Sequence, residues 1–343
     1  MPKFILALIF LITACTVTPA ATSPSLPPNF LAEVVVEKLN SPTQMIVAPN
    51  DKIWIAELNG GENDGQGRII AVSLNDSKRE VVLSGLLKPT GIAIANNYLW
   101  IASQRTILRA PLNTKGEVGQ TEIVLANLPF NGRSNGTLTV SPKGMIIYET
   151  SGMRIGNNAE EGSAQLWELD PRQPSRPRLI ATGLKNAYAH VFDNAGRLWV
   201  TDVAEDLVND TAPPDELNWI IEGADYGWPA CFAERQPALN YGGSDSICAA
   251  TRAAVAVFPP HSTPTSVAVS PWETDTLLVA LWGPTQPSVV KVKLAISGET
   301  ISSRTLPFIT GIKAPQHLLV LPDRSLLVSD HLTGTLYRIT SAP

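Results

Sequence analysis

Apolar and polar positions alternate along most of this chain, and the alternation comes in six similar bouts. They begin at Ser41 (SPTQMIVAPNDKIWIAE), Lys88 (KPTGIAIANNYLWIAS), Ser134 (SNGTLTVSPKGMIIYET), Asn186 (NAYAHVFDNAGRLWVTD), Thr263 (TPTSVAVSPWETDTLLVAL) and Ala314 (APQHLLVLPDRSLLVSD). Each reads as a polar lead-in, an alternating strand, a turn and a second, apolar strand. Third strands follow at Arg68–Leu74, Thr106–Leu112, Ala164–Leu169, Val289–Leu294 and Thr335–Ile339. Fourth strands begin at Arg79, Thr121, Arg176, Arg252 and Ser302. One such unit cannot bury both faces of its sheet, whereas six stacked radially can. The pattern predicts an all-β, six-bladed propeller with four-stranded blades. The last blade lacks an outer strand, and Phe30–Leu39 is available to supply it beside Thr335–Ile339. That pairing removes two free sheet edges. An open solenoid would need polar terminal caps, and none is visible.

The N-terminus is a different kind of segment. Lys3 followed by the apolar run Phe4–Ile12 reads as an export signal, too short for a membrane-spanning helix. The next residues, LITAC, resemble a bacterial lipoprotein signal, in which a small residue (Ala14) precedes a lipidated cysteine (Cys15). On that reading residues 1–14 are the signal, and Cys15 anchors an exported protein to a bacterial membrane on its periplasmic or outer side. An ordinary secretory signal cut near Ala20 or Ala21 is the competing reading. Residues 15–29 are Ser/Thr/Pro/Ala-rich and predict a flexible tether. Residues 30–343 then form one domain. The 26 basic and 31 acidic residues give a net charge of −5. With no basic run, this argues against a nucleic-acid partner. The two cysteines beyond Cys15 are Cys231 and Cys248. A pair without a clustered histidine makes a poor zinc site, and in an exported chain it predicts a disulfide.

The repeat is interrupted once. The spacing between the fourth and fifth units is about half again the usual one, which places an insert at about residues 203–257. Long insertions in repeat proteins map to one face, often the binding face. Asp202, Glu205, Asp206, Asp210, Asp215 and Glu216 crowd its first half. Carboxylates beside tight turns suit calcium, and a solvated acidic loop is the plain alternative. Within the insert, DELNWIIEGADYGWPAC (Asp215–Cys231) resembles a segment of the glucose/sorbosone dehydrogenase family, whose members are six-bladed propellers using pyrroloquinoline quinone. The resemblance implies a structural calcium held by the Glu216 side chain and the Tyr226 carbonyl. It also implies that Lys185 and Asn186 stand where the family has an Arg-Asn pair beneath the quinone.

The likeness departs from the family pattern where its chemistry is expected. The family's general-base histidine falls on Arg133, and arginine does not give up its proton. An aspartate of the family falls near Gly152, and its basic clamp on the cofactor has only Lys291 and Lys293, in a strand, to offer. Three of the four histidines, His190, His261 and His317, lie where they could converge on the channel and supply a displaced base or metal ligands. His190 and His317, on inner strands, are the nearest candidates, and His261 and His331 lie in loops. Arg133, Lys185, Arg105 and Arg154 are also read as a cationic mouth suited to an acidic sugar, a lactone or a carboxylated cofactor. Three functions follow. The first is oxidation of an aldose-type sugar with pyrroloquinoline quinone. The second is a surface-anchored propeller that binds a glycan or a protein partner without catalysis. The third is a metal-dependent lactone hydrolase using Glu57, Glu149 and Asp202.

Overall fold

The computed structural model describes residues 23–132, 135–298 and 300–342. The expected signal, Cys15 and Arg133 lie outside them. The six bouts become six four-stranded antiparallel sheets. From channel to rim, blade one is Pro42–Val47, Ile53–Glu57, Gly67–Val72 and Arg79–Leu86; blade two is Pro89–Ala95, Tyr98–Ser103, Thr106–Pro111 and Glu122–Leu125. Blade three is Thr139–Val140, Ile146–Thr150, Gln165–Leu169 and Arg178–Thr182; blade four is Ala189–Phe192, Leu198–Asp202, Asp215–Ile220 and Ala256–Phe258. Blade five is Pro264–Val269, Thr276–Leu281, Ser288–Ser297 and Thr300–Thr310. Blade six is Pro315–Val320, Leu326–Asp330 and Thr335–Ser341, completed by Phe30–Val36.

The second strands are mainly apolar until their last one or two residues because each is sandwiched between neighbouring blades. Ile53–Glu57, Ile146–Thr150 and Leu326–Asp330 are buried along their whole length. Six hydrophobic clusters fill the six blade interfaces. The one between blades six and one joins Leu321, Leu327 and Leu336 to Met45, Ile55 and Ile70. An open array of six blades would have five interfaces, so this sixth cluster closes the ring. Hydrogen bonds close the ring as well. Phe30 pairs with Ser341 and Val36 with Leu336 along one antiparallel ladder, and the Phe30 ring meets Trp272 and Phe308 edge-on.

The expected tether has its described end docked. The Ser25 amide donates to the Thr310 carbonyl at 2.8 Å, and the Thr310 amide returns the bond at 3.1 Å. No helix among the described residues is long and apolar enough to cross a membrane.

The insert differs from the expectation in one respect. It is not one loop, because blade four's third strand, Asp215–Ile220, runs through it. Excursions at residues 203–214 and 221–255 flank that strand. Polar residues at 215, 216 and 218 hid the strand in the sequence, since their side chains face a buried polar site. A hairpin, Arg154–Ile155 with Asn158–Ala159, rises from blade three beside it, and Arg154 lies 3.9 Å over the Tyr241 ring.

Candidate functional site

The antiparallel pairing sets one end of the channel. The first residue of an inner strand pairs with the end of the second: Pro42 with Glu57, Pro89 with Ser103, Pro264 with Leu281 and Pro315 with Asp330. The next residue of each inner strand (Thr43, Thr90, Thr265, Gln316) therefore rims the same opening as the residue that follows the second strand (Leu58, Val203, Trp282, His331). All eight line one cavity of about 190 Å³, together with Glu62, Lys88, Asn186 and Tyr188.

The threonines show how the rim is tied. Thr43 donates to the Pro89 carbonyl of the next blade at 2.8 Å, and Thr265 donates to Pro315 at 3.2 Å. Thr90 has no such acceptor, because blade three lacks the proline and its inner strand starts late, at Thr139. Its hydroxyl oxygen is buried with no hydrogen-bond partner among the described residues, and so is the Trp282 indole nitrogen. A buried polar atom left unpaired is rare and calls for an explanation. Gln316 donates to the Tyr188 hydroxyl at 3.1 Å across the channel, and burial pushes that phenol up to about 12.

His331 stands 6.2 Å from Trp282, ring centre to ring centre. Its Nδ1 is 2.9 Å from the Pro42 carbonyl. A carbonyl only accepts, so Nδ1 carries the proton. Burial holds the imidazole below its usual range, although the Pro42 bond and the charges of Glu62 and Asp330 oppose this. The ring is thus neutral near pH 7, which leaves Nε2, away from the Pro42 bond, as an acceptor.

The two histidines favoured from the sequence do not line this cavity. His190 lies deeper, with Nδ1 3.3 Å from the Thr139 hydroxyl. His317 accepts from the Met45 amide at 3.4 Å. Burial pulls both down to about 3. His261 is exposed.

The cationic mouth does not assemble among the described residues. Lys185 donates to the Ala204 carbonyl at 2.7 Å and lies 3.4 Å from Glu205, to which Arg154 also comes within 3.6 Å. Arg105 bonds the Leu128 carbonyl. Lys88, at the mouth, is paired with Glu62. Lys291 and Lys293 both pair with Glu273, away from the mouth. Asn186 is fixed by Asn131, which donates to its Oδ1 at 2.9 Å.

The insert holds a second, smaller polar site. Asp202 accepts the Lys185 and Asn186 amides, at 3.0 and 2.5 Å. Asp215 accepts the Ala204 and Thr263 amides, joining the insert to the start of blade five. Glu216 accepts from the Ala233 amide at 2.5 Å and from the Asn218 amide group at 3.0 Å. Burial, with Asp215 nearby, pushes Glu216 up to about 7. A cavity of about 20 Å³ separates Glu216, Asp202 and Lys185 from Tyr226 and Trp228. The Tyr-Gly-Trp-Pro turn reaches it by leaning on Gly183, whose φ is +73°. A Cβ there would lie 2.4 Å from the Gly227 nitrogen, so only glycine fits. Cys231 and Cys248 form a disulfide, with Cα atoms 5.6 Å apart.

Of the lactone-hydrolase carboxylates only Glu149 and Asp202 come near each other. Glu57 is bonded to Arg68 and the Asn40 amide, while Glu149 and Asp202 are buried between blades three and four. Among the described residues no group of three His, Cys, Asp or Glu is placed to hold a metal.

Comparison with known proteins follows this architecture. Residues 168–297 match the sequence model of the glucose/sorbosone dehydrogenase family. A comparison with curated proteins gives no match. Three solved structures align over nearly the whole chain, each at 16% identity. One is the holo form of the pyranose dehydrogenase PQQ domain from Coprinopsis cinerea, with a TM-score of 0.76 covering 95% of this chain and 99% of that one. Another is the calcium structure of the Trichoderma reesei carbohydrate-active enzyme of family AA12, at 0.78 with 95% and 100% covered. The third is the PQQ-bound aldose sugar dehydrogenase from Streptomyces coelicolor, at 0.70 with 92% and 99% covered. The chain has a glucose/sorbosone dehydrogenase-like six-bladed propeller fold.

Proposed function

We propose that this protein binds an aldose-type sugar at the channel mouth, as an exported propeller held to a membrane by a lipid on Cys15. The observation that carries the reading is the mouth cavity itself. Hydroxyl, amide, indole and imidazole groups line it, and the polar atoms of Thr90 and Trp282 have no partner there among the described residues. Such a wall suits a neutral polyhydroxylated ligand, whose hydroxyls both donate and accept.

Calcium fits the small site in the insert. Glu216 is a hard oxygen donor that burial, with Asp215 nearby, makes reluctant to carry its charge unpaired, and the buried Asn218 Oδ1 beside it has no hydrogen-bond partner among the described residues. Glu216, with the Tyr226 carbonyl, would hold the ion, which would offset carboxylate charge and pin the insert. Pyrroloquinoline quinone fits less well. Its carboxylates need cations, and at the mouth Lys88 is matched by Glu62, as Lys185 is by Glu205. One observation favours oxidation as a second reading: His331 offers a neutral imidazole at the mouth, the kind of group a proton abstraction needs.

Titration calorimetry against glucose, galactose and xylose, with calcium present, tests the first reading. A parallel assay adds pyrroloquinoline quinone and a redox dye. Saturable heat with an aldose is expected, at dissociation constants on the order of millimolar, without quinone-dependent dye reduction. Dye reduction requiring both sugar and quinone would establish the second reading. No heat with any aldose would reject sugar binding.

A further inference from the structure

We propose that His331 is the ligand-contacting residue that selects a hydroxyl at the mouth, receiving that hydroxyl's hydrogen bond on Nε2 while Trp282 and Thr90 bind its neighbours. The inference rests on the sugar reading above and assigns the wall that would recognise the ligand. It starts from the repeat. The residue after the second strand is Leu58 in blade one, Val203 in blade four, Trp282 in blade five and His331 in blade six, and all four face the cavity. Two are aliphatic and form no hydrogen bonds through their side chains. The polar pair is adjacent, on blades five and six, with ring centres 6.2 Å apart and planes at 73°.

The two rings are complementary. Indole Nε1–H only donates, and this one has no partner among the described residues. The His331 imidazole, its Nδ1 proton committed to the Pro42 carbonyl, only accepts at Nε2. A donor beside an acceptor is the pattern that neighbouring hydroxyls on a sugar ring satisfy. One hydroxyl donates to Nε2 while its neighbour accepts from the indole. Thr90, more than nine-tenths buried in the same wall, offers a hydroxyl that can do either. The charged groups facing His331 are Glu62 and Asp330. Lys88 neutralises the first, and Asp330 is occupied by the amides of Lys313, Leu332 and Thr333. Neither charge is left to compete for a neutral ligand's hydroxyls, so a cyclic vicinal diol is the class of ligand that fits.

The test uses the full mature protein and the aldose that gives the strongest calorimetric response. His331→Asn keeps a donor for the Pro42 carbonyl and removes the Nε2 acceptor. It should weaken binding about tenfold, the scale of one lost hydrogen bond to a ligand. Trp282→Phe should do the same. The single deoxy analogue that wild type binds more weakly should bind wild type and His331→Asn alike. A readout that needs no variant is carbethoxylation by diethyl pyrocarbonate, mapped by peptide mass. The sugar should protect His331 and leave exposed His261 reactive. If wild type binds sugar but His331→Asn binds it equally, or if sugar leaves His331 unprotected, the proposal falls and sugar binding stands. If wild type binds no aldose, both fall.

Discussion

Both carboxyl oxygens of Glu149 are buried, and neither makes a hydrogen bond of ordinary geometry among the described residues. Burial first, and the charge of Asp202 second, push this carboxyl well above the usual carboxylate range, with the Ala187 amide opposing in part. The sign of the consequence is fixed by linkage. The folded state holds the proton more tightly than the unfolded chain, so stability falls as pH rises from the unfolded carboxyl value toward the folded one. Glu149→Gln mimics the protonated form. It should raise the melting temperature by several degrees at pH 8 and leave it unchanged near pH 4.5. Equal shifts at both pH values would contradict this account. The histidines show what was legible at this scale. His190 and His317 were favoured because they sit on inner strands. A strand position alone does not give depth along the channel. The position after an inner strand's opening proline does: Thr43, Thr90, Thr265 and Gln316 reach the mouth, as do Leu58, Trp282 and His331, which follow the second strands of three of those blades. By that rule His331 and Trp282 were readable from the sequence, while the missing partner of Thr90 was not, since it depends on where blade three's inner strand begins.

The insert is the element that separates this chain from a plain repeat. Its Asp-Glu-Leu-Asn start was legible as a motif but not as a strand. Apolar alternation is how a strand announces itself, and here polar side chains take the buried positions to build the Glu216 site. Its pieces are held to blade three by main-chain bonds, the Tyr226 amide to the Thr182 carbonyl and the Trp228 amide to Gly183. The Cys231–Cys248 disulfide closes a loop within the second excursion. The short loop this bond closes corresponds to roughly 3 kcal/mol of stabilisation in the chain-entropy account. Replacing both cysteines with alanine should lower the melting temperature and open residues 221–255 to proteolysis. The blade four strands should stay protected, because their interface cores do not involve the bridge. An unchanged melting curve and proteolytic pattern would show that the bridge constrains nothing.

On the scale of the whole ring, the fold was legible almost completely, because six repeats and one missing outer strand leave a single way to remove every sheet edge. The choice of working face was not. One larger groove, about 520 Å³, lies at the opposite end from the mouth, among the turns of blades four to six around Trp272 and Asp275. Its charges are satisfied within the protein: Arg197 pairs with Asp193, and Arg324 donates to the Pro271 carbonyl. The mouth is smaller but keeps unpaired polar atoms, and for that reason it is assigned the ligand. The most direct test is a crystal structure of the mature protein grown with calcium and soaked in the aldose that binds best. The account predicts sugar density in the mouth, against Thr90, Trp282 and His331. Sugar bound instead in the groove beside Trp272, with the mouth holding none, would contradict it.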